Sequence, residues 1–198
     1  AIEWSSALPK KGTEVWRVGL NRADQLVSLR TEIESYSALR IGFSATPRFR
    51  DSNIAGLSTS DAIASLGGVL TDRKGRVYAL WASFLDQRDG ERMFHGLTKH
   101  YVDPILDPIL RGEEPAYRSL GVEFMPLPLA EARERGLSDA RIRELLHKSE
   151  DRVVYEVVRV HGGSPAAAQL RDTDLLVAIN GEPITNMVQL EDYHQATH

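Results

Sequence analysis

The chain has 198 residues, 42% of them hydrophobic, and a formal charge of −4 with both signs interspersed along it. That is enough for one large or two small domains with true cores, which excludes a disordered chain, and the charge argues against a surface that tracks phosphates, so nucleic acid is not an expected partner. The absence of cysteine excludes disulfides, thiol catalysis and thiolate metal sites, and suits a reducing or an oxidising compartment equally.

The first residues, A-I-E-W-S-S-A-L-P-K-K-G, lack the apolar core of a signal peptide, and no run approaches the roughly 18 apolar residues of a membrane helix, so membrane insertion is not expected. The sequence starts without Met and almost inside a strand pattern, which suggests a fragment and leaves the compartment open. From Gly12 to Phe94 short β-rich runs alternate with turn residues, the pattern of an all-β barrel or sandwich. The expected strands are 14–20, 25–34, 38–43, 54–57, 68–71, 76–83 and 94–97, with a small-residue loop over 58–65. Asp72-Arg73-Lys74-Gly75 has glycine where a hairpin needs a positive φ, which pairs Val69 and Leu70 with residues 77–80.

Apolar residues at helical spacing predict a helix over 101–110, with Pro104 suited to its first turn and Pro108 expected to kink or end it. Arg111-Gly112-Glu113-Glu114-Pro115 reads as a linker, giving domains at 1–114 and 115–198. A short charged helix over 129–135 should stop at Gly136. Ser138 caps the next, with Leu137 stapled onto Ile142 and a buried stripe of Ile142, Leu145 and Leu146. Residues 153–160 are strand-like, and Gly163-Ser164-Pro165 supplies a turn, an N-cap and a first-position proline for a helix through Leu170. A strand over 175–179 and the Asn180-Gly181 turn form a second hairpin, and a final helix begins near Asn186.

Candidate chemistry is sparse. His95, His100, His147, His161, His194 and His198 show no H-x-H or H-E-x-x-H spacing, so neither a metal nor a cofactor is expected. His95 and His100 read as exposed or capping histidines, and Asp103 and Asp107, each before a proline, as turn formers and N-caps. Glu131 to Arg135 reads as a solvated helix face, and Trp4, Trp16 and Trp81 as barrel core or as a seam with other parts of a longer protein.

Residues 163–184, G-S-P-A-A-A-Q-L-R-D-T-D-L-L-V-A-I-N-G-E-P-I, closely resemble the core of the PDZ domains attached to HtrA/Deg serine proteases, departing at Gln169 and Thr173, where glycine is usual. Upstream, G-T-E-V-W-R-V-G-L-N-R, R-I-G-F-S-A-T-P-R-F-R and L-G-G-V-L-T-D-R-K-G-R-V-Y-A-L-W-A-S-F are similar to the tandem HtrA/Deg proteins of fungi and plants, as is the helix at 138–148. The resemblance implies a mostly β chain with helices: the C-terminal β-barrel half of a trypsin-like (chymotrypsin) fold, followed by an α+β PDZ domain with an extra helical insert and without its closing strand. It also places Leu66 where such proteases carry the nucleophilic serine, just before the Gly67-Gly68 oxyanion turn. Leucine offers no nucleophile, and Ser65 would point to the opposite face of an extended segment, so this chain is expected to be catalytically silent even though the parent protein is expected to be a serine endoprotease.

For the PDZ domain, the resemblance implies a carboxylate-binding loop and groove strand at Ser119, Leu120, Gly121, Val122 and Phe124. Met187, Leu190 and Glu191 on the last helix form the facing wall. The partners so implied are polypeptide C-termini or unfolded protein segments, together with an active protease domain of the same parent. Two other readings stay open: a working endoprotease completed by parts outside this chain, and an intramolecular clamp in which the groove is filled from within.

Overall fold

The computed structural model describes residues 2–39, 53–60, 67–85, 92–116, 119–149 and 151–196. It separates into two compact units, one of Ala1–Ala45 and Ala55–Ala116, the other of Thr46–Ile54 and Tyr117–His198.

Six antiparallel strands close the first unit into a barrel: β1 (Glu14–Leu20), β2 (Leu26–Ala38), β3 (Ala55–Thr59), β4 (Gly68–Thr71), β5 (Val77–Leu85) and β6 (Arg92–Thr98), in the spatial order β1-β2-β3-β6-β5-β4. The expected mostly β, barrel-forming first part is therefore present. Closure removes the strand edges, and alternate residues of each strand point inward. Val15, Ile33, Leu57, Leu70, Ala79 and Trp81 make the core. Arg17 is also inside, in phase with Val15, its guanidinium carbon 5.2 Å from the centre of the Trp81 ring, a cation–π contact in a desolvated setting. Gly68 sits where β4 presses on β1: its φ is +137°, and an added Cβ would lie 2.7 Å from the Cα of Gly19. Only glycine fits there.

The hairpin at 72–75 forms in the expected register, Val69 opposite Leu80 and Leu70 opposite Ala79, with Gly75 at φ +82°. Several strand boundaries differ from expectation, β5 running on to Leu85 and β6 spanning Arg92–Thr98. β2 is longer than expected, reaching Ala38, because Tyr36, Ser37 and Ala38 continue the ladder with β3 past an irregularity between Ile33 and Ser35. Ser58 and Thr59 belong to β3 rather than to a loop, held opposite Ser35 and Ile33. Leu39 lies beyond the end of β2, and residues 40–43 of the expected 38–43 strand, with residues 61–65 of the loop, lie outside the described residues.

Helix α1 (Lys99–Leu110) contains both prolines: Pro104 lies six residues in, beyond the first turn, and Pro108 does not end the helix. Each proline forfeits an N–H and crowds the carbonyl four residues back. The helix is tied down by the buried Tyr101, whose hydroxyl accepts from the Ala55 amide at 2.9 Å, and it closes two residues beyond Pro108 with the Arg111 N–H on the Asp107 and Pro108 carbonyls. Asp103 and Asp107 are thus helix-interior residues; the N-cap position falls to Thr98, and Asp103 pairs with Lys99 one turn earlier.

The second unit is built on the antiparallel sheet β7-β8-β9, formed by β7 (Val122–Pro128), β8 (Val153–Val160) and β9 (Leu175–Leu176). Between β7 and β8 lie α2 (Leu129–Glu134) and α3 (Asp139–Lys148). Gly136, at φ +96°, ends α2, and the Leu137 N–H returns to the Ala132 carbonyl. The Ser138 hydroxyl accepts from the Arg141 amide, and Leu137, Ile142 and Leu145 join Leu127, Leu129, Ala132 and Val154 in one core. Leu146 does not: it is 45% exposed, at the flank of the stripe that Ile142 and Leu145 centre.

Farther on, the expected helix is a single 3-10 turn, Pro165–Ala168, and the Ser164 side chain does not cap it. The 175–179 strand is split at Val177 into β9 and β10 (Ala178–Ile179), the latter pairing with β11 (Glu182–Pro183) around Asn180 and Gly181, both at positive φ. Helix α4 (Met187–Ala196) starts with a capping box: the Asn186 side chain accepts from the Gln189 amide at 3.1 Å while the Gln189 side chain accepts from the Asn186 amide at 3.1 Å.

Candidate peptide groove and nucleophile position

Leu66 and Ser65 lie outside the described residues. Gly67 and Gly68 follow directly, and Gly68 carries the bend onto β4. Among the described residues no group of three His, Cys, Asp or Glu side chains is placed to hold a metal ion, and no helix is long and apolar enough to cross a membrane.

The loop Ser119-Leu120-Gly121 leads straight into β7. Gly121 has φ +68°, and an added Cβ would lie 2.8 Å from the Ser164 hydroxyl oxygen, so this bend also requires glycine. Its carbonyl accepts from the His161 amide at 2.8 Å, tying the loop to the end of β8, and its own N–H donates to the Ser119 hydroxyl at 2.8 Å. The loop is therefore braced from within, with Leu120 39% exposed at its tip.

Because Gly121 faces β8, alternation turns the backbone groups of Val122 and Phe124 to the other edge of β7, where the sheet ends among the described residues. The side chains of Val122 and Phe124 are buried. Glu123, whose backbone faces β8 instead, lies opposite Arg159 with its carboxylate 3.7 Å from that guanidinium. Pro126 and Pro128, in phase with Phe124, bring no N–H to the outer edge.

That edge is engaged by a residue the sequence did not single out. Asn53, 5% exposed, donates from Nδ2 to the Val122 carbonyl at 2.7 Å, while its Oδ1 accepts from the Phe124 amide at 2.8 Å. No local pattern could have revealed this, since the partners are 69 and 71 positions apart. On α4, Met187 and Leu190 are 1% and 0% exposed, and Glu191 lies on the same helix.

No family model matches the chain. It is 31% identical over 92% of its length to Protease Do-like 7 of Arabidopsis thaliana, and 31% identical over 92% of its length to the pro-apoptotic serine protease NMA111 of Phaeosphaeria nodorum. In both cases it spans 19% of the relative. Among solved structures, the HtrA-type protease AlgW with a tripeptide superposes over 100% of this chain and 61% of its own, with a TM-score of 0.56 and 18% identity, a likeness of fold. The barrel is accordingly the C-terminal half of a trypsin-like domain, and the unit after it has the PDZ fold with a helical insert at α2 and α3.

Proposed function

Since this chain belongs to the HtrA/Deg family of serine proteases, we propose that it is a non-catalytic part of such a protein, its PDZ unit binding polypeptide C-termini or unfolded segments and its barrel serving as scaffold and regulator for a protease domain elsewhere in the parent. The observation that carries this reading is β7: an edge strand entered through the braced loop at Ser119 to Gly121, the arrangement by which a sheet accepts an extended peptide as a further strand. The sequence supplies the catalytic half of the reading, since Leu66 stands where a nucleophile is needed.

Tail recognition buries a small interface, so a Kd of roughly micromolar order, about −8 kcal/mol, is expected. Titration of the full chain with a fluorescein-labelled peptide ending in Val should show saturable binding, and the C-terminal amide of the same peptide should bind more weakly. Equal binding of acid and amide would refute carboxylate capture. No binding of either would remove peptide recognition.

A further inference from the structure

We propose that Asn53 is a displaceable gate on this groove, its carboxamide holding in cis the Val122 carbonyl and Phe124 N–H that an incoming strand would use, so that a peptide binds only by exchanging with it. The inference rests on the peptide-groove reading and concerns how that groove is regulated. A carboxamide presents the same donor and acceptor as a peptide group, and here it meets two successive outward groups of one strand at 2.7 and 2.8 Å, distances of well-formed bonds. At 5% exposure it occupies the edge as a buried fixture, not as a solvated surface contact.

The edge has little else to offer. Beyond Phe124 the outward positions are Pro126 and Pro128, so Phe124 supplies the last N–H on that side of β7. A ligand that added along β7 while Asn53 stayed in place would lose the hydrogen bonds at the centre of its own pairing. Asn53 lies two residues before Ala55, the first residue of β3, and its release is thereby linked through the chain to the start of a barrel strand.

A groove open only part of the time has its apparent affinity reduced by the open fraction. Removing both bonds in Asn53→Ala is expected to tighten binding of the labelled Val-terminal peptide about tenfold, since two hydrogen bonds of ordinary net strength no longer compete. The unsubstituted protein carries an independent signal: the Asn53 side-chain NH2 resonances should move to the position of a solvated carboxamide as the peptide saturates. If the unsubstituted protein binds the peptide while Asn53→Ala, folded by its melting curve, binds no better, the groove stands and the gate falls. Should Asn53→Ala fail to fold, unmoved NH2 resonances at saturation overturn the gate on their own. Should neither protein bind, both readings fall together.

Discussion

Glycine and its substitutes decide the local geometry around the groove. Gly121 needs its positive φ and has no room for a Cβ beside Ser164, so Gly121→Trp would dismantle the loop rather than block a ligand, and comparison of acid and amide peptides is the cleaner probe. Thr173 shows the opposite case. It stands where related PDZ domains usually have glycine, and it adopts φ +76°, a region that costs a β-branched residue about 1–2 kcal/mol. Its side chain is exposed, and its N–H still donates to the Val157 carbonyl at 2.8 Å, a bond that any residue can make. Thr173→Gly should therefore stabilise the second unit by about 0.5–1 kcal/mol after the added freedom of glycine in the unfolded chain is subtracted. A urea midpoint that falls on this substitution would contradict the assignment of strain. Gln169, the other departure from the family pattern, has φ −126° and needs no glycine.

Among the elements, the β4–β5 hairpin shows how a short turn is held by one side chain. The Asp72 carboxylate accepts from the Lys74 amide at 2.8 Å, the Arg76 amide at 2.9 Å and the Arg76 Nε at 2.7 Å. Desolvation by itself would raise the Asp72 carboxyl, but the Arg76 amide, then the Arg76 guanidinium and the Lys74 amide, hold it below its ordinary value of 3.8. A carboxyl with a lower pKa in the folded than in the unfolded chain stabilises fully above the unfolded value, and that contribution disappears as pH falls through the folded one. Asp72→Asn should lower the melting temperature at pH 7, and the gap to the unsubstituted protein should narrow once the pH drops below about 4. A gap that stays constant from neutral to acid pH would show that the charge plays no part. His95 on β6 acts in the same direction: burial holds its imidazole below 6.5, so acidification through that value favours the unfolded chain.

For the whole molecule, the decisive question is whether the barrel retains any hydrolytic chemistry. Acylation needs a hydroxyl activated by a base that is itself oriented by a carboxylate, and in trypsin-like proteins that base and carboxylate come from a first barrel. The described residues form one closed barrel, and on the proposed reading leucine stands at the nucleophile position. A fluorophosphonate probe should leave the chain unlabelled, and Leu66→Ser should remain unable to turn over casein. Labelling of the native chain at Ser65, or turnover by Leu66→Ser, would return the barrel to the active proteases.

The elements written in local chemistry are legible in the amino-acid sequence alone. The turn at Gly75, the caps at Ser138 and Asn186, the stop at Gly136 and the Asn180-Gly181 hairpin each depend on a few neighbouring residues, and the motif over 163–184 is itself a string of such local requirements. Boundaries and faces set by tertiary contacts are not: β2 runs to Ala38 because β3 lies beside it, α1 passes Pro108 and closes at Arg111, and Leu146, on the flank of its stripe, stays outside the core of Ile142 and Leu145. The loop at Ser119 to Gly121 and the strand after it, proposed here as the groove, are nameable from sequence, whereas the occupation of that strand by Asn53 is not. A carboxamide finds its partners by where the folded chain brings them, and only the tertiary structure carries an asparagine ahead of β3 to the edge of β7.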